Sequence, residues 1–165
     1  FYKKIYFSVL MLAMLFMASS CGFKPLYSDY SEKKEIKGKI KVSEVSGKEG
    51  YYIKEELVRH FGVPSENAYL LTLTIDTLKM NEVISPSNEI TSYRLIMTAS
   101  YNIKNISGEI VLPTQKSSVR TGFSSASNST GYATQIAEEA AKKRLAIKVS
   151  EKISTRLSVL SEKWL

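Results

Sequence analysis

The chain contains few of the residues that enzymes most often use in catalysis. It has one His, His60, one Cys, Cys21, and two Asp, at positions 29 and 76, which are far apart in the sequence. It contains no His-Glu-x-x-His zinc motif, no Walker A loop and no Gly-x-Gly-x-x-Gly sequence. The usual nucleophilic triads and metal sites cannot be built from this set. We therefore predict that the protein is not an enzyme and that it uses neither a metal nor a cofactor.

Two features that resemble catalytic groups have simpler interpretations. His60 lies near the end of a predicted short helix, where we expect a partly exposed surface histidine. Glu138 and Glu139 are adjacent in a predicted helix, so their side chains point apart. Acidic residues near the start of a helix are also favoured by its dipole. We therefore interpret both glutamates as structural residues.

A single cysteine excludes an internal disulfide, and its position indicates a different role. Lys3 and Lys4 precede an almost unbroken apolar run from Ile5 to Ala18, which ends at Ser19-Ser20-Cys21. This is the layout of a secretory signal, and the run is shorter than the about 20 residues that cross a bilayer core. The stretch 18–21 is similar to the lipobox of bacterial lipoproteins, although Ala18 replaces the usual Leu. We predict that residues 1–20 are a signal peptide that is removed, and that Cys21 carries a lipid anchor.

The mature chain is predicted to be a tethered single domain. In lipoproteins of this type an Asp after the cysteine commonly signals inner-membrane retention, so Gly22 indicates sorting to the outer membrane. Residues 21–35 include Pro25 and are predicted to form a lipidated tether, while residues 36–165 have the length of one domain with one core. The net charge is +7, or +5 once Lys3 and Lys4 are removed, which suits an anionic partner. Export argues against nucleic acid as that partner.

Hydrophobic periodicity predicts the secondary structure. Apolar residues alternate with polar ones in four segments, the signature of half-buried strands: from Ile36 to Val42, Tyr69 to Met80, Tyr93 to Ile103 and Glu109 to Phe123. Asn105 to Gly108 is predicted to form a hairpin turn, and Pro113 an edge position or a bulge. Helical spacing is found from Tyr51 to Phe61 and from Tyr132 to Trp164, and loops are predicted at Asn81 to Thr91 and Ser124 to Thr130.

The order β-α-β-β-β-α, with no repeated βα unit, predicts an α+β two-layer sandwich. In this arrangement a mostly antiparallel sheet of four strands is covered on one face by two helices. The apolar row that includes Leu95 and Met97 is predicted to face the helices as core rather than to line a ligand site. Thr98 is predicted on the opposite, solvent-facing side.

Three segments resemble the LptE family of lipopolysaccharide-assembly lipoproteins, which work with the outer-membrane barrel protein LptD. The opening Cys21-Gly22-Phe23-Lys24-Pro25-Leu26-Tyr27 is similar to that of alphaproteobacterial members. The strand Tyr93 to Thr98 and the stretch Gly131-Tyr132-Ala133-Thr134 before an Ala-rich helix also match. The resemblance covers nearly the whole chain and implies the same β-α-β-β-β-α fold.

The resemblance implies a function as well. The protein would be a lipid-anchored outer-membrane lipoprotein, on the periplasmic face, that plugs and helps assemble LptD for lipopolysaccharide transport. The family's basic contacts with lipopolysaccharide lie before the third strand and after the fourth. Here this chain departs, because neither Asn81 to Tyr93 nor Ser124 to Tyr132 contains Lys or Arg. A lipoprotein that carries lipid, or one that binds cell-wall polymer without a barrel, remains the alternative.

Basic residues on the polar sides of the strands offer another phosphate-binding surface. We expect six of them to share the outer face of the sheet and to contact lipopolysaccharide phosphates: Lys37, Lys39, Lys41, Arg94, Lys116 and Arg120. Arginine favours this interpretation, because its planar guanidinium can bind two phosphate oxygens at once. The alternative is that lysines on an open sheet face only keep it soluble and protect its edges.

Overall fold

The computed structural model describes residues 36–84, 90–124 and 131–165, together with Lys3. Within these ranges one four-stranded sheet, in the order β1-β2-β3-β4, packs against two helices. The elements along the chain are β1 (Ile40–Val42), α1 (Gly47–Phe61), β2 (Tyr69–Ile84), β3 (Ile90–Lys104), β4 (Ile110–Ser124) and α2 (Gly131–Val159). β1 is parallel to β2 and the other pairs are antiparallel. The predicted α+β fold and its element order are confirmed.

The alternating strands place one row of side chains in the core. On β3 the side chains of Leu95, Met97, Ala99 and Ile103 are fully buried, at 0% exposure. The intervening residues, including Thr98, are half-buried on the other face. Both helices cover the apolar face, and α2 contributes a row of residues that are also at 0% exposure: Leu145, Val149, Ile153 and Leu157. The face predicted from the alternation of β3 is therefore the core face.

The first strand is shorter than predicted. The segment from Ile36 to Lys39 is a turn, and β1 begins at Ile40. Gly38 has φ 79°, and its N–H donates to the Phe61 carbonyl at 2.7 Å, which turns the chain at the end of α1. Ile36 is still buried, as expected, but Lys37 and Lys39 belong to the turn rather than to a strand.

The first helix begins earlier than predicted. Gly47 and Gly50 were expected to end a strand, whereas α1 starts at Gly47 and includes both. A Cβ atom on Gly50 would lie 2.5 Å from the Val45 carbonyl oxygen, so this turn of the helix needs glycine to pack on the preceding loop. Val58, predicted on the buried face, is 39% exposed.

The central hairpins extend beyond the predicted limits. Instead of a loop throughout Asn81 to Thr91, β2 continues to Ile84 and β3 starts at Ile90, with register irregularities after Asn81. The predicted turn after β3 is confirmed, because Asn105 Oδ1 accepts from the N–H groups of residues 107 and 109. Pro113 lies on edge strand β4 where the register against β3 shifts by one residue, which is the predicted bulge.

The last helix differs from its prediction at both ends. It stops at Val159 rather than Trp164, and a 3₁₀ turn (Ser161–Lys163) then brings Trp164 against Tyr69, with ring centroids 5.4 Å apart. Its 29 residues span about 44 Å at the standard helical rise. Ile136, predicted as core, is 48% exposed, because the first turns of the helix make few core contacts. No helix among the described residues is long and apolar enough to cross a bilayer.

Candidate anion-binding surface

Strand register decides which basic residues share a surface. Residues directly opposite in neighbouring strands point to the same face of a sheet. Lys116 is opposite Ser100, and Arg120 is opposite Ile96, so both lie on the face away from the helices. Arg94 is on the same face, opposite Gly122. Lys41 joins them through its pairing with Leu70 at the far edge of the sheet.

The predicted basic set is not one cluster. β2 and β3 separate β1 from β4, and strand spacings of about 4.8 Å put the two edge strands about 14 Å apart. Lys37 and Lys39 are exposed in the turn before β1. The face also carries the exposed carboxylate of Asp76 on β2.

Arg94 already has a carboxylate partner. Its guanidinium is paired with Glu82 of β2, across the irregular part of the β2–β3 pairing. A phosphate at this position would have to compete with that carboxylate. In contrast, Lys116 and Arg120 have no carboxylate within ion-pair distance among the described residues. Of the predicted set, the two β4 residues are therefore the better placed to bind an anion.

The structure adds a second row of basic residues, from α2, beside β4. Arg144, Lys148, Lys152 and Arg156 repeat every four residues and are exposed along one stripe of the helix. Lys152 Nζ donates to the Ser118 carbonyl at 3.0 Å. Arg156 donates to the Lys116 carbonyl at 3.1 Å and to Gln115 Oε1 at 3.0 Å.

These contacts border an open groove of about 620 Å³ between β4 and α2. Its lining consists of Val119, Lys148, Glu151, Lys152, Thr155 and Arg156. None of its three cations is in an ion pair within the described ranges. Together with Lys116 and Arg120 on the adjoining strand, the groove forms the β4–α2 basic surface. The four-residue spacing along α2 was visible in the sequence, but only tertiary packing places it beside β4.

The two glutamates considered above belong to an ion-pair network at the other end of α2. Glu138 bonds to Lys79 of β2 and to Lys142, and the hydrogen bond from Lys79 holds the pKa of Glu138 below its ordinary value. Glu139 bonds to Lys48 of α1 at 2.7 Å, and this hydrogen bond raises the pKa of Lys48. Both glutamates are structural, as predicted. Their role is ion pairing, since they lie beyond the first turn of α2.

The ion-pair network joins a sheet strand to both helices. Lys142 also approaches Glu49 of α1 at 3.5 Å. Burial opposes the charged form of Lys142, but the hydrogen bond and charge of Glu138 raise its pKa. The Lys79 ammonium lies 4.4 Å from the centre of the Tyr93 ring, which in turn stacks on Phe123. The network therefore supports the fold where the three elements meet.

Other candidate groups do not assemble into a catalytic site. His60 is exposed near the end of α1, as predicted. In the described part of the chain, no group of three or more His, Cys, Asp or Glu side chains is arranged to hold a metal ion. The lipid-attachment residue Cys21, the signal peptide and the tether lie outside the described residues. The same holds for 85–89 and 125–130, which are parts of the two segments compared with the family's lipopolysaccharide contacts.

Comparison with known structures shows which class of protein has this fold. A crystal structure from Caulobacter crescentus, assigned as a lipoprotein, superposes with a TM-score of 0.60 at 20% identity, covering 78% of this chain and 94% of that one. Rare lipoprotein B from Shewanella oneidensis gives 0.58 at 15% identity, with 74% and 96% covered. A minor lipoprotein from Acinetobacter baumannii gives 0.56 at 14% identity, with 75% and 93% covered. At these identities the likeness shows the fold, which is that of a small α+β domain found in bacterial lipoproteins.

The sequence itself identifies the family. The profile of the LptE family, described as lipopolysaccharide-assembly, matches residues 38–157. This range runs from the turn before β1 to near the end of α2 and so includes every strand and both helices. No curated protein sequence matches the chain. The chain belongs to the LptE lipopolysaccharide-assembly family, as the resemblance in its sequence implied.

Proposed function

We propose that this protein is an outer-membrane lipoprotein that plugs an LptD-type β-barrel and helps assemble it for lipopolysaccharide transport to the cell surface. The observation that carries the proposal is the family match over residues 38–157. The neighbours named as lipoproteins have the same fold, and the sequence up to Cys21 has the layout of a lipoprotein signal. The role is non-enzymatic, in keeping with the family and with the shortage of catalytic residues.

The packing of the core supports a plug over a lipid carrier. A carrier would enclose an apolar cavity large enough for acyl chains, whereas here the apolar face of the sheet is filled by side chains of the two helices. Leu71, Leu95 and Ile153, from a strand, its neighbour and α2, are all at 0% exposure in one continuous cluster. A solid domain of this kind suits a role inside a barrel.

Copurification from membranes tests the main proposal. We expect the whole chain, extracted in mild detergent, to bring down a large β-barrel protein in a stable complex. Recovery of the chain alone with bound lipid would contradict the plug role and favour the carrier. A Leu95→Asp variant, whose core should not form, serves as the control that the complex needs the folded domain.

Lipid attachment has its own test. We propose that Cys21 is the modified residue, because only a thiol can accept the diacylglyceryl group. Mass spectrometry should show the mature chain starting at an acylated Cys21, and Cys21→Ser should accumulate as a precursor that keeps residues 1–20. An unmodified cysteine in the wild-type chain would overturn this assignment.

We further propose that the β4 part of the basic outer face contacts lipopolysaccharide phosphates. Lys116→Gln with Arg120→Gln should weaken lipopolysaccharide binding about tenfold or more, since each charged hydrogen bond contributes about 1.5–3 kcal/mol. It should also flatten the salt dependence of binding. Lys39→Gln with Lys41→Gln, at the far edge, is the matched control and should have a smaller effect. Equal effects of the two pairs, measured at low salt, would reduce the face to a solvated surface.

A further inference from the structure

The outer edge of β4 presents backbone groups that have no partner in the sheet. The carbonyls of Lys116 and Ser118 accept bonds from α2, so they point away from β3. Backbone direction alternates along an antiparallel strand, and Arg120 and Gly122 therefore also direct their N–H and C=O groups to this edge. Among the described residues, these four groups make no hydrogen bond. An exposed row of this kind is a template for pairing with another strand.

We propose that the groove between β4 and α2 binds an extended, acidic segment of a partner protein, which adds to β4 as a further strand. This goes beyond the proposed function, because the ligand is a peptide rather than lipopolysaccharide. Backbone hydrogen bonds to the edge would supply affinity, and side chains that meet the groove would supply specificity. The groove runs along the edge and has about 620 Å³ of open space.

Charge identifies the kind of segment that fits. The groove is lined by Lys148, Lys152 and Arg156, with Glu151 as its one acid. None of the three cations forms an ion pair within the described part of the chain. A second copy of this chain would bring a basic edge against a basic edge, which is repulsive. A segment rich in Asp or Glu is complementary.

The spacing of the cations matches that of alternate residues in a strand. Four residues of helix rise about 6.0 Å, and two residues of strand advance about 6.7 Å. The existing contacts already show this correspondence, because Lys152 reaches Ser118 while Arg156 reaches Lys116, two residues along β4. Acidic side chains at every second position of an added strand would therefore stay in step with the basic stripe of α2.

Binding would exchange partners without leaving polar groups unpaired. Lys152 and Arg156 now donate to carbonyl oxygens that an added strand would reach with its own N–H groups. Those N–H groups would take over the carbonyls, and the two cations would be released to bind carboxylates of the segment. The unpaired groups of Arg120 and Gly122 would gain partners in the same step.

Peptide binding to the whole chain in detergent tests the proposal. The probe is a labelled peptide, Thr-Glu-Val-Glu-Thr-Glu-Val-Glu-Thr, and the control has Lys in place of Glu. We expect the Glu peptide to bind, more weakly as salt is raised, and the Lys peptide not to bind. Hydrogen exchange should slow at the amides of Arg120 and Gly122 but not at Thr121, which already faces β3. Absence of binding, or binding without this protection, would overturn strand addition.

Two kinds of variant separate the edge from the charge. Gly122→Pro removes an edge N–H that the sheet does not use, and proline is tolerated on edge strands. It should weaken peptide binding at least tenfold, as should Lys148→Glu with Lys152→Glu. Lys37→Glu with Lys39→Glu reverses two exposed charges beyond the opposite edge and should leave binding unchanged.

The same variants recognise the competing interpretations. Full peptide binding by a folded Gly122→Pro variant would show a site made of side-chain charges alone and would overturn the added strand. If Gly122→Pro does not fold, the exchange pattern of the wild-type chain decides the question. Failure to bind the peptide, together with binding of phosphatidylglycerol vesicles that the Lys148→Glu, Lys152→Glu variant loses, would replace the peptide by an anionic membrane surface. None of these results depends on whether the chain plugs a barrel.

Discussion

Replacing Leu95 with Asp tests the assignment of the two faces of β3 and the packing that depends on it. Leu95 is at 0% exposure in the core cluster. Its replacement forfeits the burial of a leucine side chain, about 1.5–3 kcal/mol. It also puts a carboxyl group where the fold supplies no partner, at a further cost of several kcal/mol. The sum is comparable with the whole stability of a small domain, about 5–15 kcal/mol.

Two exposed positions on the same strand are matched controls with opposite expected signs. Ser100 is opposite Lys116 of β4, so Ser100→Asp creates an opposite-charge pair across the strands. Thr98 is opposite Asp76 of β2, so Thr98→Asp sets like charges against each other. Such cross-strand pairs contribute about 0.2–1 kcal/mol. We expect Ser100→Asp to be neutral or stabilising and Thr98→Asp to be mildly destabilising.

Urea unfolding followed by circular dichroism measures these differences. Leu95→Asp should show no cooperative transition, and the milder Leu95→Ala should lose about 2–5 kcal/mol. With a slope of about 1–3 kcal/mol per molar urea, that loss is a shift of at least about 1 M in the midpoint. Equal midpoints for Leu95→Ala, Thr98→Asp and Ser100→Asp would show that the register of β3 is wrong.

Two further predictions concern the helices. Because Lys79 lowers the pKa of Glu138 from its ordinary 4.5, this ion pair should stabilise the fold above that pH and lose its contribution as the pH falls through the lowered value. Glu138→Gln should therefore reduce stability at neutral pH and weaken its decline in acid, as measured by thermal unfolding across pH, and an unchanged profile would contradict the pairing. Gly50→Ala should destabilise the protein by about 1–3 kcal/mol, because its Cβ would meet the Val45 carbonyl. Gly122→Ala, whose Cβ meets only an oxygen at 3.5 Å, should be tolerated, and equal stability of the two variants would contradict this packing.

Local patterns were enough to predict much of the fold. Alternation along β3 identifies its buried face, because successive side chains of a strand point in opposite directions whatever the strand packs against. The hairpin turn at Asn105 to Gly108 is likewise a short-range signal, since Asn105 bonds to backbone groups only two and four residues away. The order of strands and helices follows from these periods, and the apolar faces must then pack on one another.

Element ends depended on contacts that are distant in sequence. The turn at Gly38 forms because its N–H reaches Phe61, and this is why Lys37 and Lys39 are not in a strand. Glycines at the start of α1 look like breakers in the sequence, but Gly50 is required by the close approach of Val45. Periodicity carries no information about such approaches, so it placed these boundaries several residues away.

The candidate site is where tertiary structure decided most. Sequence alternation identified Lys116 and Arg120 on the outer face, but it could not show that Arg94 pairs with Glu82, because that pairing depends on an irregular strand register. Nor could it show that Lys148, Lys152 and Arg156 meet the free edge of β4, since a basic stripe on a helix looks the same whether it faces solvent or a strand. The sequence determines which side chains share a face of one element. Which elements then meet, and which charges remain unpaired, depends on how helix and sheet pack over their shared core.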